Sequence, residues 1–331
     1  MQLLRRYFRV SPQASLSIEI NPRSCDLEKL TLLRELGFSR VSFGVQDFDP
    51  QVQQAINRIQ PYSMVETLVN AARELQFRSV NLDLVYGLPH QAAETFSQTL
   101  AQVVTLDPDR ISLFSYAHLP ERFAAQRKIP DAALPGATEK LGLLALAMDH
   151  LQQAGFVAIG MDHFARPDDA LAKAQQAGKL QRNFQGYTTQ EECDLLGLGV
   201  SSISQIGDCY AQNQKDIRPY YEAIDKDGHA LWKGCSLNRD DEIRRVVIKQ
   251  LICHFDLDMA KMDDKLGIKF EEYFAEDLKL LQTFIDDKLV EVVDRKITIS
   301  PTGRLLIRNI CMCFDLYYRQ KARQQQFSRV I

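Results

Sequence analysis

The strongest constraint in this sequence is a unit that recurs through its first 120 residues: a short apolar strand, a polar stop, an amphipathic helix and another strand. The first strand, Leu16–Ile20, leads into "CDLEKLTLLRELGF", where Asp26 is the expected helix cap and Gly37 the stop. The second, Arg40–Val45, is followed by the helical stretches "DPQVQQAINRIQ" and "YSMVETLVNAARELQF". The third, "SVNLDLVYG", passes Pro89 into "ETFSQTLAQVVTL", and the fourth is "RISLFSYAH". Strands separated by helices of this length require right-handed crossovers and so a parallel α/β sheet.

In parallel sheets and barrels the chemistry gathers beyond the carboxyl ends of the strands. On that rule Glu19, Gln46, Asp83 and the run Tyr116, Ala117, His118 are expected on one rim. Each could equally be a cap or a solvated turn residue, since polar side chains end strands for that reason too. Asp47, next to Gln46, is expected simply to open the following turn or helix.

After the repeat comes a connection rich in proline and basic residues, "LPERFAAQRKIPDAALPG", then a helix over Ala137–Ala154 and a strand "FVAIGM" that ends in "DHFARPDD". A glycine-interrupted run, "LLGLGVSSISQIGDCYAQN", has the texture of backbone approaching a ligand closely. From about Asn238 the pattern changes to helices (Arg239–Phe255, Phe270–Lys288), a hairpin "VEVVDRKITIS" and a final helix from Pro301, which suggests a small winged-helix-like module.

Composition narrows the function classes. A net charge of −3 argues against a general nucleic-acid binder, and no apolar stretch approaches the roughly 18 residues of a membrane helix. The amino-terminal "MQLLRRYFRVSP" has too short an apolar core for a signal peptide, so a cytoplasmic protein is expected. Seven scattered cysteines do not form a disulfide framework. Cys311 and Cys313 lie close together inside an apolar helical pattern, where buried thiols are the ordinary reading and a metal pair the alternative.

Several segments, in order, carry a resemblance: "SIEINPR", "GVQDFDPQVQQAINR", "NLDLVYGLP", "AHLPERFAAQRKI", "IGMDHFARPDD", "RNFQGYTTQ", "GVSSISQIGDCYAQN" and "GRLLIRNICMCFDLYYRQKARQQQFSRVI". Together they resemble the oxygen-independent coproporphyrinogen III oxidases, radical S-adenosylmethionine enzymes of haem biosynthesis. "RNFQGYTTQ" favours the oxidases over the related haem-chaperone branch. The resemblance implies a partial TIM-like (β/α) radical-SAM barrel with a substrate-binding extension over residues 1–237 and a helical, winged-helix-like domain over 238–331.

The same resemblance implies S-adenosylmethionine and a four-iron, four-sulfur cluster as cofactors. The family's CxxxCxxC loop and its glycine-rich loop are not among these residues, so the chain is expected to be a carboxy-terminal part, missing the first barrel strands and inactive alone. No metal ligand and no individual catalytic residue is assigned within it. Positions matching the family's cofactor contacts are Glu19, Gln46, Arg58, Asp83, Ala117 and Ile203. Arg58 suits a bidentate pair with the cofactor carboxylate, Gln46 and Asp83 suit ribose hydroxyls or the ammonium, and Glu19 can accept from either. Ala117 and Ile203 offer backbone or apolar contact, which fits adenine.

For a tetracarboxylate substrate, Arg127, Lys128, Arg166 and Arg182 are weaker candidates, for propionate binding or for loop order. His163 is either a proton donor or substrate contact or a structural histidine, and Tyr187 either faces the tetrapyrrole or packs its own loop. The implied reaction is the oxidative decarboxylation of coproporphyrinogen III to protoporphyrinogen IX. The implied partners are that substrate and an electron donor of flavodoxin type, with a monomeric protein and neither nucleic acid nor membrane. The alternative reading is a non-catalytic tetrapyrrole-binding or chaperone-like relative, with the winged-helix-like end as a partner or nucleic-acid surface and the basic carboxy-terminal segment able to touch phosphate.

Overall fold

The structure, a computed structural model, describes residues 1–190 and 193–321, so most of the basic carboxy-terminal segment lies outside the described residues. The chain divides into two compact units, the first over Met1–Ala172 and the second over the described residues from Lys173 onward.

The first unit opens with α1 (Gln2–Tyr7) and then builds the repeat: β1 (Ser17–Ile20), α2 (Leu27–Glu35), β2 (Arg40–Gln46), α3 (Pro50–Ala55), α4 (Tyr62–Glu74), β3 (Ser79–Tyr86), α5 (Ala93–Thr105) and β4 (Arg110–Ser115). These four strands pair in sequence order and in parallel, as the repeat requires. Asp26 caps α2 by accepting the Lys29 N–H at 2.9 Å, and Gly37 ends it with a φ of +99°. Alternation sorts the sheet into two faces. Val41, Phe43, Val80, Leu82, Leu84, Ile111 and Leu113 are buried, and so are the apolar residues of α4 and α5.

Beyond β4 the sheet reverses. After α6 (Ala137–Gln153), the expected strand "FVAIGM" stops at β5 (Val157–Ile159), because Gly160 takes a φ of +56° and turns the chain into β6 (His163–Ala165). Strand β6 pairs antiparallel with both β4 and β5, giving a six-stranded mixed sheet in the order β1-β2-β3-β4-β6-β5. A bidentate pair between Arg110 and Asp169, at 2.8 Å on each arm, ties the segment after β6 to the start of β4.

In the sequence of the second unit, α7 (Ala170–Gln176), which straddles the division, is followed by the hairpin β7 (Gln181–Asn183) and β8 (Gly186–Thr188). An antiparallel sheet of β9 (Ile203–Ile206), β10 (Cys209–Asn213) and β11 (Leu231–Ser236) follows, with α8 (Ile217–Asp227) between its last two strands. Next come α9 (Arg239–His254), β12 (Asp256–Asp258), α10 (Met259–Leu266), α11 (Phe270–Tyr273), α12 (Ala275–Asp286), β13 (Val290–Val293) and β14 (Lys296–Ile299). The three strands pair β12-β14-β13, so helices and hairpin form a winged-helix arrangement that adds β12 and α10 to what periodicity suggests and divides the expected Phe270–Lys288 helix into α11 and α12. Asp258 caps α10 directly after β12, which leaves no loop to announce the change. The segment from Pro301 is three short helices, α13 (Pro301–Arg304), α14 (Ile307–Met312) and α15 (Leu316–Lys321), rather than one. Among the described residues no helix is long and apolar enough to cross a membrane.

Candidate functional site

Opposite the apolar face of the first unit's sheet lies a polar one. Register partners share a face, and two rows run across it: Glu19, Ser42, Asn81 and Arg110, then Gly44, Asp83, Ser112 and His163. Asp83 therefore stands in the middle of β3, on this face, and not at the strand's end. Its carboxylate accepts from the Ser42 hydroxyl at 2.8 Å and from the Asn81 amide at 2.7 Å. Burial pushes the Asp83 carboxyl up, against the opposing pull of its hydrogen bonds to Ser42, Ser112 and Asn81 and of the nearby His163.

The carboxyl end of β2 is the sharpest local feature. The parallel register with β3 slips between Gly44 and Gln46, so Gln46 lies opposite Leu84. Gln46 takes a φ of +68°, and the Asp47 N–H donates to the Val45 carbonyl at 2.9 Å across it, closing a three-residue turn. A non-glycine residue held there costs on the order of 1–3 kcal/mol, a strain that clusters at binding sites. Gly44 explains itself: a Cβ there would come within 2.8 Å of both the Arg58 Nη2 and the Gln46 Nε2. Arg58 also donates to the Gly44 carbonyl at 2.8 Å. Gln46, Arg58 and Asp83 are thus brought together around Gly44. Partial burial lowers the Arg58 pKa, as does nearby Arg23, while Asp83 raises it.

Behind this turn sits a buried polar group that sequence reading missed: Asp47, Gln53, Gln60, Gln91 and Thr99. Asp47 Oδ1 accepts from the Thr99 hydroxyl at 2.6 Å and from the Asp49 N–H at 2.8 Å, and Oδ2 accepts from the Gln91 amide at 2.6 Å. Asp47 opens the turn, as expected, but Asp49 is the residue that caps α3. The Gln60 amide donates to the carbonyls of Gly44, at 2.9 Å, and Val45, while the Gln53 amide donates to the Asp47 carbonyl at 2.9 Å. The only sequence signal was a carboxylate directly after an apolar strand, and that pattern ordinarily marks a solvated turn.

The other candidates separate by place. Ala117 follows β4 in a half-buried loop whose shape is fixed by Gln126, which donates to the Ala117 carbonyl at 3.0 Å, and by Lys140, which donates to the Tyr116 carbonyl at 2.9 Å. Arg127 and Lys128 are exposed on this loop, Arg127 donating to the Pro120 carbonyl at 2.9 Å. His163 reaches the polar face from β6, with Asp162 2.6 Å from its Nδ1 and the Phe114 ring edge-on at 5.9 Å. Arg166 is not brought there. It lies at the amino end of β4, bonded to Asp107 and the Ala154 carbonyl and stacked 4.1 Å over the Phe156 ring.

In the second unit, Arg182 and Tyr187 face each other across the β7–β8 hairpin, the guanidinium 5.5 Å from the ring centroid. Ile203 opens β9, and its peptide is covered by Gly197, where a Cβ would meet the Ile203 carbonyl oxygen at 2.7 Å. That close approach of backbone to backbone is what the glycine at position 197 serves. Cys311 and Cys313 are buried thiols. Burial pushes Cys313 up to about 11 and Cys253 up to about 12. Among the described residues no group of three or more His, Cys, Asp or Glu is placed to hold a metal ion.

Two family models match the chain: the Radical SAM superfamily over residues 1–103 and the HemN C-terminal domain over residues 237–306. The oxygen-independent coproporphyrinogen III oxidase of Escherichia coli (strain K12) is 57% identical over 331 residues, which is 100% of this chain and 72% of that protein. Its counterpart in Pseudomonas aeruginosa is 53% identical over 95% of this chain and 68% of its own length. The solved structure of the Escherichia coli coproporphyrinogen III oxidase, described as a radical SAM enzyme, superposes with a TM-score of 0.92 at 55% identity, covering 96% of this chain and 73% of that one. With its mixed α/β sheet, winged-helix arrangement and these similarities, the chain belongs to the oxygen-independent coproporphyrinogen III oxidase family of radical SAM enzymes.

Proposed function

We propose that this chain acts in the oxidative decarboxylation of coproporphyrinogen III to protoporphyrinogen IX, and that the polar face of its first unit holds S-adenosylmethionine. The observation that carries the reading is the convergence of the Gln46 amide and the Arg58 guanidinium over Gly44, on the face that also bears Asp83. A cradle that a single methyl group would fill, rimmed by an amide, a cation and a carboxylate, answers a ligand with both charged and hydroxyl groups. Arg58 receives the ligand's carboxylate, Gln46 and Asp83 bind its ribose hydroxyls or ammonium, and Glu19 lies on the same face, in the row beside them. Ala117 and Ile203 supply backbone and apolar contact to the adenine. Bound there, S-adenosylmethionine supplies the hydrogen-abstracting chemistry of the radical SAM family.

The four-iron, four-sulfur cluster of that family finds no matching ligand set here: the seven cysteines include no CxxxCxxC, and only Cys25 belongs to the first unit. For the substrate, Arg127, Lys128, Arg182, Tyr187 and His163 are the candidate contacts, while Arg166 orders its loop. We divide the labour between residues 1–237, which bind cofactor and substrate, and 238–331, a supporting winged-helix domain. Helix α12 exposes Glu276 and Asp286 against one lysine, a poor surface for phosphate, and the domain has no nucleic-acid role in this reading. The working form is a cytoplasmic monomer reduced by a flavodoxin-type donor.

Calorimetric titration of the purified chain with S-adenosylmethionine tests the binding, with Arg58→Ala and Asp83→Asn each expected to weaken it at least tenfold. A fusion placing a relative's CxxxCxxC segment before Met1 is expected to form deoxyadenosine and vinyl product anaerobically. Tetrapyrrole binding by that fusion, with its cluster intact but neither product formed, would replace the enzyme with the non-catalytic reading.

A further inference from the structure

We infer that Asp47 is a positioning residue for this site: through Gln91 it fixes the Gln46 turn at the end of β2 against the end of β3, and so sets the separation of the Gln46 amide from Asp83. The inference rests on the adenosyl-binding reading above.

Asp47 is 1% exposed, and among the described residues its carboxylate is bonded by neutral donors. An ionised carboxylate only accepts, so every hydrogen bond to it has a fixed polarity. Gln91 transmits that polarity. With its amide nitrogen committed to Asp47 at 2.6 Å and to the Val85 carbonyl at 3.0 Å, its oxygen must face the Gly87 N–H, which it does at 2.6 Å. Val85 and Gly87 flank the end of β3, and Asp47 flanks Gln46, so one side chain staples the two strand ends. Thr99 adds a third support from α5: its hydroxyl donates to Asp47 and accepts the Phe48 N–H at 3.2 Å. Without these bonds the turn keeps only the Gln53 and Gln60 amides on its backbone carbonyls, its tie to β3 is gone, and the Gln46 amide shifts in the space above Gly44.

Replacing Asp47 by asparagine keeps the shape and breaks the polarity, since its amide would confront the Gln91 amide or displace a donor on the other side. The double variant Asp47→Asn/Gln91→Glu restores a donor–acceptor pair across the gap and keeps an acceptor for the Gly87 N–H, but it loses the donor to the Val85 carbonyl. Hydrogen exchange of peptides spanning 43–48 reads the turn directly, and calorimetry reads S-adenosylmethionine affinity. Asp47→Asn is expected to speed exchange in that segment and weaken affinity at least tenfold each, with exchange in the β13–β14 hairpin unchanged and the double variant recovering part of both. Where Asp47→Asn does not fold, Thr99→Val is expected to produce the same local pattern at smaller size.

Wild-type exchange and affinity in Asp47→Asn would overturn the inference, as would uniform acceleration across the chain with no recovery in the double variant, or an unaltered turn in Thr99→Val. If the unmodified chain does not bind S-adenosylmethionine, the adenosyl reading falls, and the exchange data still decide whether Asp47 positions Gln46.

Discussion

Asp47 in the first unit and Asp277 in the second are equally buried, at 1% exposure, and are satisfied in opposite ways. Asp47 is surrounded by neutral donors, and burial pushes its carboxyl up. Asp277 instead accepts from two arginines, Arg244 at 2.7 Å and Arg319 at 3.0 Å, and Arg244 also binds Asp240 at 2.8 Å and the Phe314 carbonyl at 3.0 Å. Neutral donors give direction to a charge at the cost of leaving it uncompensated. Counter-charges compensate it and clamp elements together: α9, α12 and α15 meet at Asp277. The first arrangement suits a site that must present one amide accurately; the second suits a scaffold.

The contrast is broken most easily at the clamp. Arg244→Met is expected to lower the unfolding free energy by about 3 kcal/mol, because it strips the main counter-charge from a buried carboxylate. Urea denaturation measures this, and a loss under about 1 kcal/mol would mean that Asp277 needs no clamp.

Glycines repeat the contrast one step down in size. A Cβ on Gly303 would lie 2.0 Å from the Leu289 carbonyl oxygen, part of the backbone, so Gly303→Ala is expected to cost about 2 kcal/mol. A Cβ on Gly44 comes close only to the ends of two long side chains, Arg58 and Gln46, with the nearest backbone atom, the Ile20 carbonyl oxygen, at an ordinary 3.8 Å. Gly44→Ala should therefore change stability by no more than about 0.5 kcal/mol while S-adenosylmethionine affinity falls, a separation that thermal melts and titration on one preparation would reveal.

The smallest effect concerns pH. Asp83 holds its proton to higher pH in the folded than in the unfolded chain, so its contribution to stability is present in acid and is lost as pH rises from about 4 through the raised value. Asp83→Asn lacks that loss. Its stability relative to the parent should climb over this window and then level off, as read by urea midpoints at a series of pH values, and a flat difference would contradict the direction assigned to Asp83.

How much of this was legible in the sequence follows from the range over which each feature is decided. The β1–β4 repeat was readable because alternation, caps and glycine stops are local, down to Asp26 and Gly37. The β5–β6 reversal turned on Gly160, a single residue inside an otherwise strand-like run. Strand β12 and helix α10 were hidden because Asp258 ends one and caps the other. At the site, Gln46, Arg58 and Asp83 were named from resemblance, but that Gly44 joins them, and that Asp47 stands behind them, depended on partners far along the chain. Thr99 is 52 residues from Asp47 and Gln91 is 44, distances at which no periodicity reports a contact.

The positive φ of Gln46 also has a meaning for protein engineering. Glycine at that position would release about 1 kcal/mol of left-handed strain, and its looser unfolded chain would return about the same amount. Stability is therefore nearly indifferent between the two residues. A stability screen of this position would pass Gln46→Gly without comment, and a library sorted on folding alone would drift away from glutamine. Only a screen that reads ligand binding would retain the amide.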